Sequence, residues 1–307
     1  MTRLPTERGY RGRFAPSPTG PLHFGSLVAA LGSYLDARSH EGEWLLRMED
    51  VDTPRVMAGA ADAILRALEA YGFEWDGEVM YQSRRGEAYQ AALERLQAQG
   101  LVYACRCSRK QLAETAKRGI DGLVYSGACR DRPPFSEPAA LRLIAPARRI
   151  AFNDAWQGRV ACNLQAESGD FVLKRADGVY AYQLAVVVDD AEQAITDIVR
   201  GADLLTSTPR QIALQEYLGL STPRYLHLPV VLDAAGDKLS KQTLAAPIDA
   251  RRPLPALLAA LGFLGIGEVR PVGNLDEFWA QARELWPGAG LPLRGRRPFH
   301  QTALEIA

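Results

Sequence analysis

The chain has 307 residues, of which 47% are hydrophobic and 23% charged, and its 36 basic side chains are balanced by 36 acidic ones. That is the composition of an ordinary soluble globular protein, and net neutrality excludes a general polyanion binder, so any nucleic-acid partner must be held by a local patch. No apolar run approaches the ~20 residues that cross a bilayer and the N-terminus lacks a charged-then-apolar signal, so the expectation is a cytoplasmic protein without membrane contact.

The segment GYRGRFAPS, residues 9–17, reads as a short strand running into a turn. SLVAALGSYLDARSH then places Leu27, Leu31, Tyr34 and Leu35 at helical spacing. EWLLRMED is the next strand, AADAILRALEAYGF sets Ile64, Leu65, Leu68 and Tyr71 on one helical face, and RGEAYQAALERLQAQG is a helix ended by Gly100. Strand and helix in alternation predict a parallel α/β sheet. The pattern breaks from about Leu101 to Val188, a stretch bearing Cys105, Cys107, Cys129 and the isolated Cys162. Within it DFVLKR and VYAYQLAVVV flank Asp177-Gly178 and predict a β-hairpin. Alternation resumes with the strand AITDIVRG, a helix in TSTPRQIALQEYLG with Pro209 in its first turn and Ser207 or Thr208 as cap, and the strand RYLHLPVVLD. A polar loop, AAGDKLSKQTL, precedes the short helices PLPALLAALGFLG and NLDEFWAQARELW.

Two loops carry chemistry. RFAPSPTGPLHFGSL, residues 13–27, is a strand–turn–helix unit that aims backbone N–H groups and a helix N-terminus at one spot, which favours a phosphate. His23 would add a donor and Gly25 would let a flat ligand approach; a buried histidine in a proline-rich loop is the competing reading. KLSKQ, residues 238–242, puts Lys238 and Lys241 around Ser240 after a strand, which suits a clamp closing on a transferring phosphate. The three clustered cysteines, in a chain with no export signal, read as metal ligands more readily than as disulfides.

Together these loops resemble the two signature motifs of class I aminoacyl-tRNA synthetases, written HIGH and KMSKS. LRMEDVDTPR, YAYQLAVVVDD and DIVRGADLL narrow the likeness to the glutamyl branch, over about Tyr10 to Gln242. Ser26 replaces the last histidine of the first motif, a substitution familiar in this branch, and Gln242 replaces the last serine of the second, leaving both lysines in place.

The resemblance implies ATP-dependent activation of L-glutamate, with Mg²⁺ accompanying ATP. In that scheme His23, Lys238 and Lys241 stabilise charge on the α-phosphate, and Gly25, Ser26 and Ser240 complete the ATP site. Arg13 and Arg200 hold the glutamate γ-carboxylate, Glu49 takes the α-ammonium, Tyr182 adds a hydroxyl, and Phe14, Ala15, Pro16 and Ser17 belong to the same pocket. An acidic substrate calls for guanidinium groups because arginine binds carboxylate through two N–H bonds. Cys105, Cys107, Tyr125 and Cys129 match one structural zinc site of the branch, with three free buried thiols as the competing reading; Cys162 reads as packing.

The expected fold is a Rossmann-like parallel sheet split by a zinc-bearing insertion. Residues 1–100 and 189–244 form its two halves, residues 101–188 an acceptor-binding-like insertion, and residues 245–307 a small helical, stem-contact-like region. Only 65 residues follow Gln242, fewer than the ~100 of an independent domain, so no anticodon-binding domain is expected. That shortening separates the chain from a full glutamyl-tRNA synthetase, and the resemblance then implies transfer of glutamate to queuosine in the anticodon loop of tRNA(Asp); a monomer is expected. The rival readings are a truncated glutamyl-tRNA synthetase charging the 3′ end of its tRNA, a small-molecule nucleotidyltransferase, and a non-catalytic RNA-binding paralogue. Arg106, Arg109, Lys110, Lys117 and Arg118, with RRPLP and RGRRPFH nearer the tail, are candidate RNA-phosphate contacts or solvated surface.

Overall fold

The computed structural model describes residues 9–120, 122–133, 135–232, 246–266 and 270–286. The chain opens with β1 (Arg11–Phe14), α1 (Phe24–Ser39), β2 (Glu43–Met48), α2 (Ala60–Ala70), β3 (Met80–Tyr81) and α3 (Gly86–Ala98). β1 pairs in parallel with β2, and β2 with β3. The chain reverses after α3 at Gly100, whose φ of 70° belongs to the left-handed region that glycine enters freely.

The middle of the chain holds β4 (Val102–Cys105), α4 (Arg109–Thr115), β5 (Arg118–Gly119), β6 (Gly122–Leu123) and β7 (Ala140–Leu143). β8 (Arg149–Asp154), β9 (Gly158–Asn163), α5 (Leu164–Glu167) and β10 (Phe171–Lys174) follow. β4, β7 and β10 make an antiparallel sheet with β7 central, and β5 and β6 form a small hairpin. The second parallel set comes from α6 (Tyr182–Glu192), β11 (Asp197–Gly201), α7 (Thr208–Tyr217) and β12 (Arg224–Leu228). β12 lies between β11, which it parallels throughout, and the end of β8. α8 (Pro253–Leu264) and α9 (Leu275–Leu285) complete the described elements.

The two parallel sets adjoin along β1 and the start of β11: Thr196 N donates to Arg11 O at 3.0 Å and Arg11 N to Thr196 Oγ1 at 2.8 Å. The strand order is therefore β3-β2-β1-β11-β12-β8, reversing direction of travel between β1 and β11. In such sheets a crevice opens at the C-terminal strand ends where the order reverses. Arg13 and Arg200 stand near those ends of β1 and β11.

α1 lies over the join. Its Gly32 allows that approach: a Cβ there would stand 2.5 Å from Cδ1 of the buried Leu228 on β12. α8 and α9 pack into the same core, where Leu257, Leu261, Phe278 and Trp279 share one apolar cluster with Leu31, Tyr34, Trp44 and Phe73. The Trp279 indole N–H satisfies Tyr71 O at 3.2 Å. Among the described residues no helix is long and apolar enough to cross a membrane.

One expectation is corrected. The turn at Asp177-Gly178 exists, with Arg175 N donating to Val179 O and a bridge between Lys174 and Tyr180, but the second run folds as helix α6. Leu184 to Val187 are buried one after another, so the run is apolar on every side and its β-branched valines mimic a strand. A helix bonds its own backbone inside that packing, and it also buries the successive carboxylates of Asp189 and Asp190 toward different partners.

Candidate functional site

A cavity of about 620 Å³ occupies the crevice at the β1–β11 reversal. Residues 13–17 form one wall, His23, Gly25 and Ser26 another, and Glu49, Tyr182 and Arg200 close the floor. Every described residue expected to bind glutamate or ATP thus lines one cavity. Lys238, Ser240 and Lys241 lie outside the described residues. The positions bracketing them flank the cavity: Val231 lines it, and Pro247 bridges His23 while Ile248 N donates to Leu22 O at 3.0 Å.

The motif turn is tied down locally. Thr19 N donates to Ser17 O at 2.8 Å, and Glu49 N donates to Pro16 O at 3.0 Å, joining the turn to the end of β2. His23 caps α1, its Nδ1 accepting from Ser26 N at 3.2 Å with Nε2 3.1 Å from Ser26 Oγ. The helix N-terminus and its unpaired N–H groups supply partial positive charge there, which suits a phosphate.

The arginines are buried and held. Arg13, 3% exposed, donates from Nε to Asp190 Oδ1 at 3.0 Å. Asp190 also accepts Arg47 Nη2 at 2.6 Å, and Arg47 donates to Gln193 Oε1 at 2.7 Å. Burial works to raise the Asp190 carboxyl, but Arg13 and Arg47 outweigh it and hold it below the usual carboxylate range. Arg200 donates to His227 Nε2 at 3.0 Å, Tyr182 Oη at 3.3 Å, Thr208 Oγ1 at 2.9 Å and Gln211 Oε1 at 2.8 Å. Glu49 lies 3.8 Å from Arg47 Nη2, and burial lifts its carboxyl to about 7 despite Arg47 and Arg13. Burial raises the Tyr182 hydroxyl as well, so it stays protonated.

Sequence reading missed Arg47, Asp154, Asp190, Thr208, Gln211 and His227. Asp190 stands inside the matched YAYQLAVVVDD run, where an acidic pair closing an apolar helix was a signal. Asp154 and His227 come from strands 73 positions apart, and no local pattern links them.

A second cluster lies in the insertion. The sulfurs of Cys105, Cys107 and Cys129 lie within 4.8 Å of one another. Tyr125 Oη is 3.3 Å from Cys105 Sγ and 3.4 Å from Cys107 Sγ, and Cys107 Sγ is 3.5 Å from Cys129 Sγ. A tetrahedral ion with ~2.3 Å bonds to sulfur and ~2.0 Å to oxygen has edges of roughly 3.4–3.8 Å, so this donor set fits one. Burial works to raise the Cys105 thiol, but Tyr125, the Cys107 backbone and Arg142 bring it below its ordinary value. The Arg142 guanidinium sits 4.1 Å from the Tyr125 ring centre. Cys162 is buried among Leu164, Ile150 and Phe152, away from this cluster. Of the basic residues noted nearby, Arg106 pairs with Glu137.

A split Rossmann-like sheet with a helix N-terminus and an arginine-lined cavity at its reversal point is the architecture of a class I aminoacyl-tRNA synthetase catalytic domain. The family model for class I tRNA synthetases (E and Q), catalytic domain, matches residues 10–252. Glutamyl-Q tRNA(Asp) synthetase of Chromobacterium violaceum is 59% identical over 284 residues, covering 92% of this chain and 95% of the relative. The enzyme of the same name from Dechloromonas aromatica is 59% identical over 288 residues, with 92% and 96% covered. The crystal structure of a glutamate tRNA ligase from Elizabethkingia meningosepticum in complex with its amino acid superposes with a TM-score of 0.71 at 27% identity, covering 88% of this chain and 64% of that one. Against glutamate-tRNA synthetase from Elizabethkingia anophelis the TM-score is 0.66 at 31% identity, and the chain spans about half of that enzyme, 53%. The chain belongs to the class I tRNA synthetases of the E and Q branch and, within it, to the glutamyl-Q tRNA(Asp) synthetase family.

Proposed function

We propose that this chain activates L-glutamate with ATP, without tRNA, and transfers glutamate from the adenylate to queuosine in the anticodon loop of tRNA(Asp). The observation that carries the reading is the convergence of Arg13, Glu49, Tyr182 and Arg200 with the His23-capped helix N-terminus on one cavity.

Activation joins a glutamate carboxylate oxygen to the α-phosphorus of ATP and expels pyrophosphate, so the protein need only position the reactants and stabilise charge. The buried arginines favour an acid side chain, the ionised Glu49 would hold the α-ammonium, and the α1 N-terminus with His23 would face the phosphates. Lys238 and Lys241 are assigned the closing role, with Ser240 beside them, and Mg²⁺ bound with ATP would offset charge on its phosphates. A second cavity of about 570 Å³ shares Ser17, Glu49 and Tyr182 with the first and extends to Asp52, Arg55 and Arg175, which leaves the acceptor nucleoside a side from which to approach. A Zn²⁺ held by Cys105, Cys107, Tyr125 and Cys129 would be structural, tying a loop-rich segment that has little core of its own.

Glutamate-dependent pyrophosphate exchange measured without and then with tRNA tests the first step. Exchange without tRNA is expected; strict dependence on tRNA would point to a shortened glutamyl-tRNA synthetase, and robust exchange with glutamine would overturn the specificity. Labelled glutamate should appear on the anticodon loop of queuosine-bearing tRNA(Asp); label on the terminal adenosine would overturn the acceptor assignment.

A further inference from the structure

Arg200 has five N–H donors, and among the described residues four of them are used: Nε on His227, both on Nη2 with Thr208 and Gln211 (Leu204 O lying 3.5 Å from the same nitrogen), and one on Nη1 with Tyr182. One Nη1 N–H remains at the cavity that Arg200 and Tyr182 both line. Because Tyr182 Oη accepts from Arg200, its own O–H is available to donate onward. The edge offered to a carboxylate is thus one guanidinium N–H and one phenol O–H, rather than the two-pronged guanidinium fork expected from sequence.

That edge depends on which nitrogen of His227 carries a proton. His227 is fully buried and its Nδ1 lies 2.6 Å from Asp154 Oδ2. Asp154 is acceptor-only, so Nδ1 carries the hydrogen and Nε2 presents the lone pair that takes Arg200 Nε–H. The other Asp154 oxygen, Oδ1, accepts three backbone donors, Trp156 N at 3.0 Å, Gln157 N at 2.8 Å and His227 N at 3.2 Å, which fix the carboxylate's orientation.

Resting on the reading of this cavity as a glutamate site, we propose that the buried Asp154–His227 pair is a positioning device for substrate specificity, selecting the imidazole tautomer that turns Arg200 so that its last Nη1 N–H and the Tyr182 hydroxyl meet the substrate side-chain carboxylate together. Neither Asp154 nor His227 lines the cavity; both act through Arg200.

Asp154→Asn tests the tautomer with little change of volume. The three backbone donors keep the amide oxygen at the Oδ1 position, so its NH₂ faces Nδ1 and drives the proton to Nε2; Thr208 Oγ1, 3.2 Å away, can take that proton, but Arg200 Nε–H loses its acceptor. In pyrophosphate exchange the KM for glutamate should rise on the order of tenfold to a hundredfold, the range that a misplacement of about 1 Å produces, while the KM for ATP stays within twofold. His227→Gln, whose amide can accept from Arg200 and donate to Asp154, should stay within threefold of the parent. His227→Leu, which removes the acceptor, should repeat the glutamate-specific rise, and the ATP KM reports whether each variant is folded. Glutamate KM within twofold of the parent in a folded Asp154→Asn or His227→Leu protein, or equal rises for ATP and glutamate, overturns the inference alone. A parent protein with no glutamate-dependent exchange overturns the proposed function and this inference together.

Discussion

Arg13 donates from Nε to Asp190 at 3.0 Å across the junction of β1 and α6, with neither side chain more than 5% exposed. Arg47 reaches the same carboxylate from β2 at 2.6 Å, so two guanidinium groups share one counter-charge beneath the cavity. The surplus positive charge in a desolvated floor is what an acidic substrate would complete. Arg13 spends its Nε edge on this pair, which sets the direction of what remains for the cavity.

Asp190→Asn should destabilise the protein by about 3–5 kcal/mol, the cost of breaking a buried pair from one side. Two buried guanidinium groups would lose their shared counter-charge while keeping a hydrogen-bonding oxygen. Urea denaturation measures it, and a loss under about 1 kcal/mol would show the pair to be better hydrated than its burial implies.

Glu49 gives a pH signature. Its carboxyl is lifted to about 7 by burial, and only the ionised form attracts an ammonium group. The kcat/KM for glutamate should therefore climb as pH rises from 6 to 8, because the free protein gains the ionised form through that window. Glu49→Gln should be much less active and lose the inflection. A flat profile in the parent would remove Glu49 from the ammonium role.

His227 contributes a different dependence. Burial pulls its imidazole down to about 4 from an ordinary 6.5, and the unfolded chain therefore binds the proton first as pH falls. Its share of stability is fully present above about 6.5 and drains away between there and 4. Melting temperature should drop over that interval in the parent and drop less in His227→Gln. Parallel curves for the two proteins would contradict the neutral buried imidazole.

The cysteine cluster can be separated from catalysis. Purified protein should hold about one equivalent of zinc, and chelation or Cys105→Ser should lower the melting temperature while glutamate-dependent exchange continues, since no residue of the cluster lines the cavity. Less than half an equivalent of zinc in fresh protein would favour three free thiols. Loss of exchange at full folding would mean that the insertion supports the active cavity directly.

Much of this was legible in the residues. Ile64 and Leu68 mark α2 because one face of it meets a core while Asp62, Arg66 and Glu69 are exposed, and the 3.6-residue period survives. The α6 run failed the same test because it is apolar all round, which erases the period that distinguishes helix from strand. Motif residues such as Arg13, His23, Glu49 and Arg200 could be named because their spacing is local to a turn or strand end.

Sequence alone determined the parallel α/β alternation, the family likeness and the chemical types gathered in the cavity, since these depend on short-range pattern and side-chain identity. Tertiary structure decided which donors remain usable: Asp190 occupies one edge of Arg13, and Asp154 through His227 leaves Arg200 a single outward N–H. Hydrogen-bond capacity is spent between segments distant along the chain, and only their meeting in three dimensions shows what is left for a substrate.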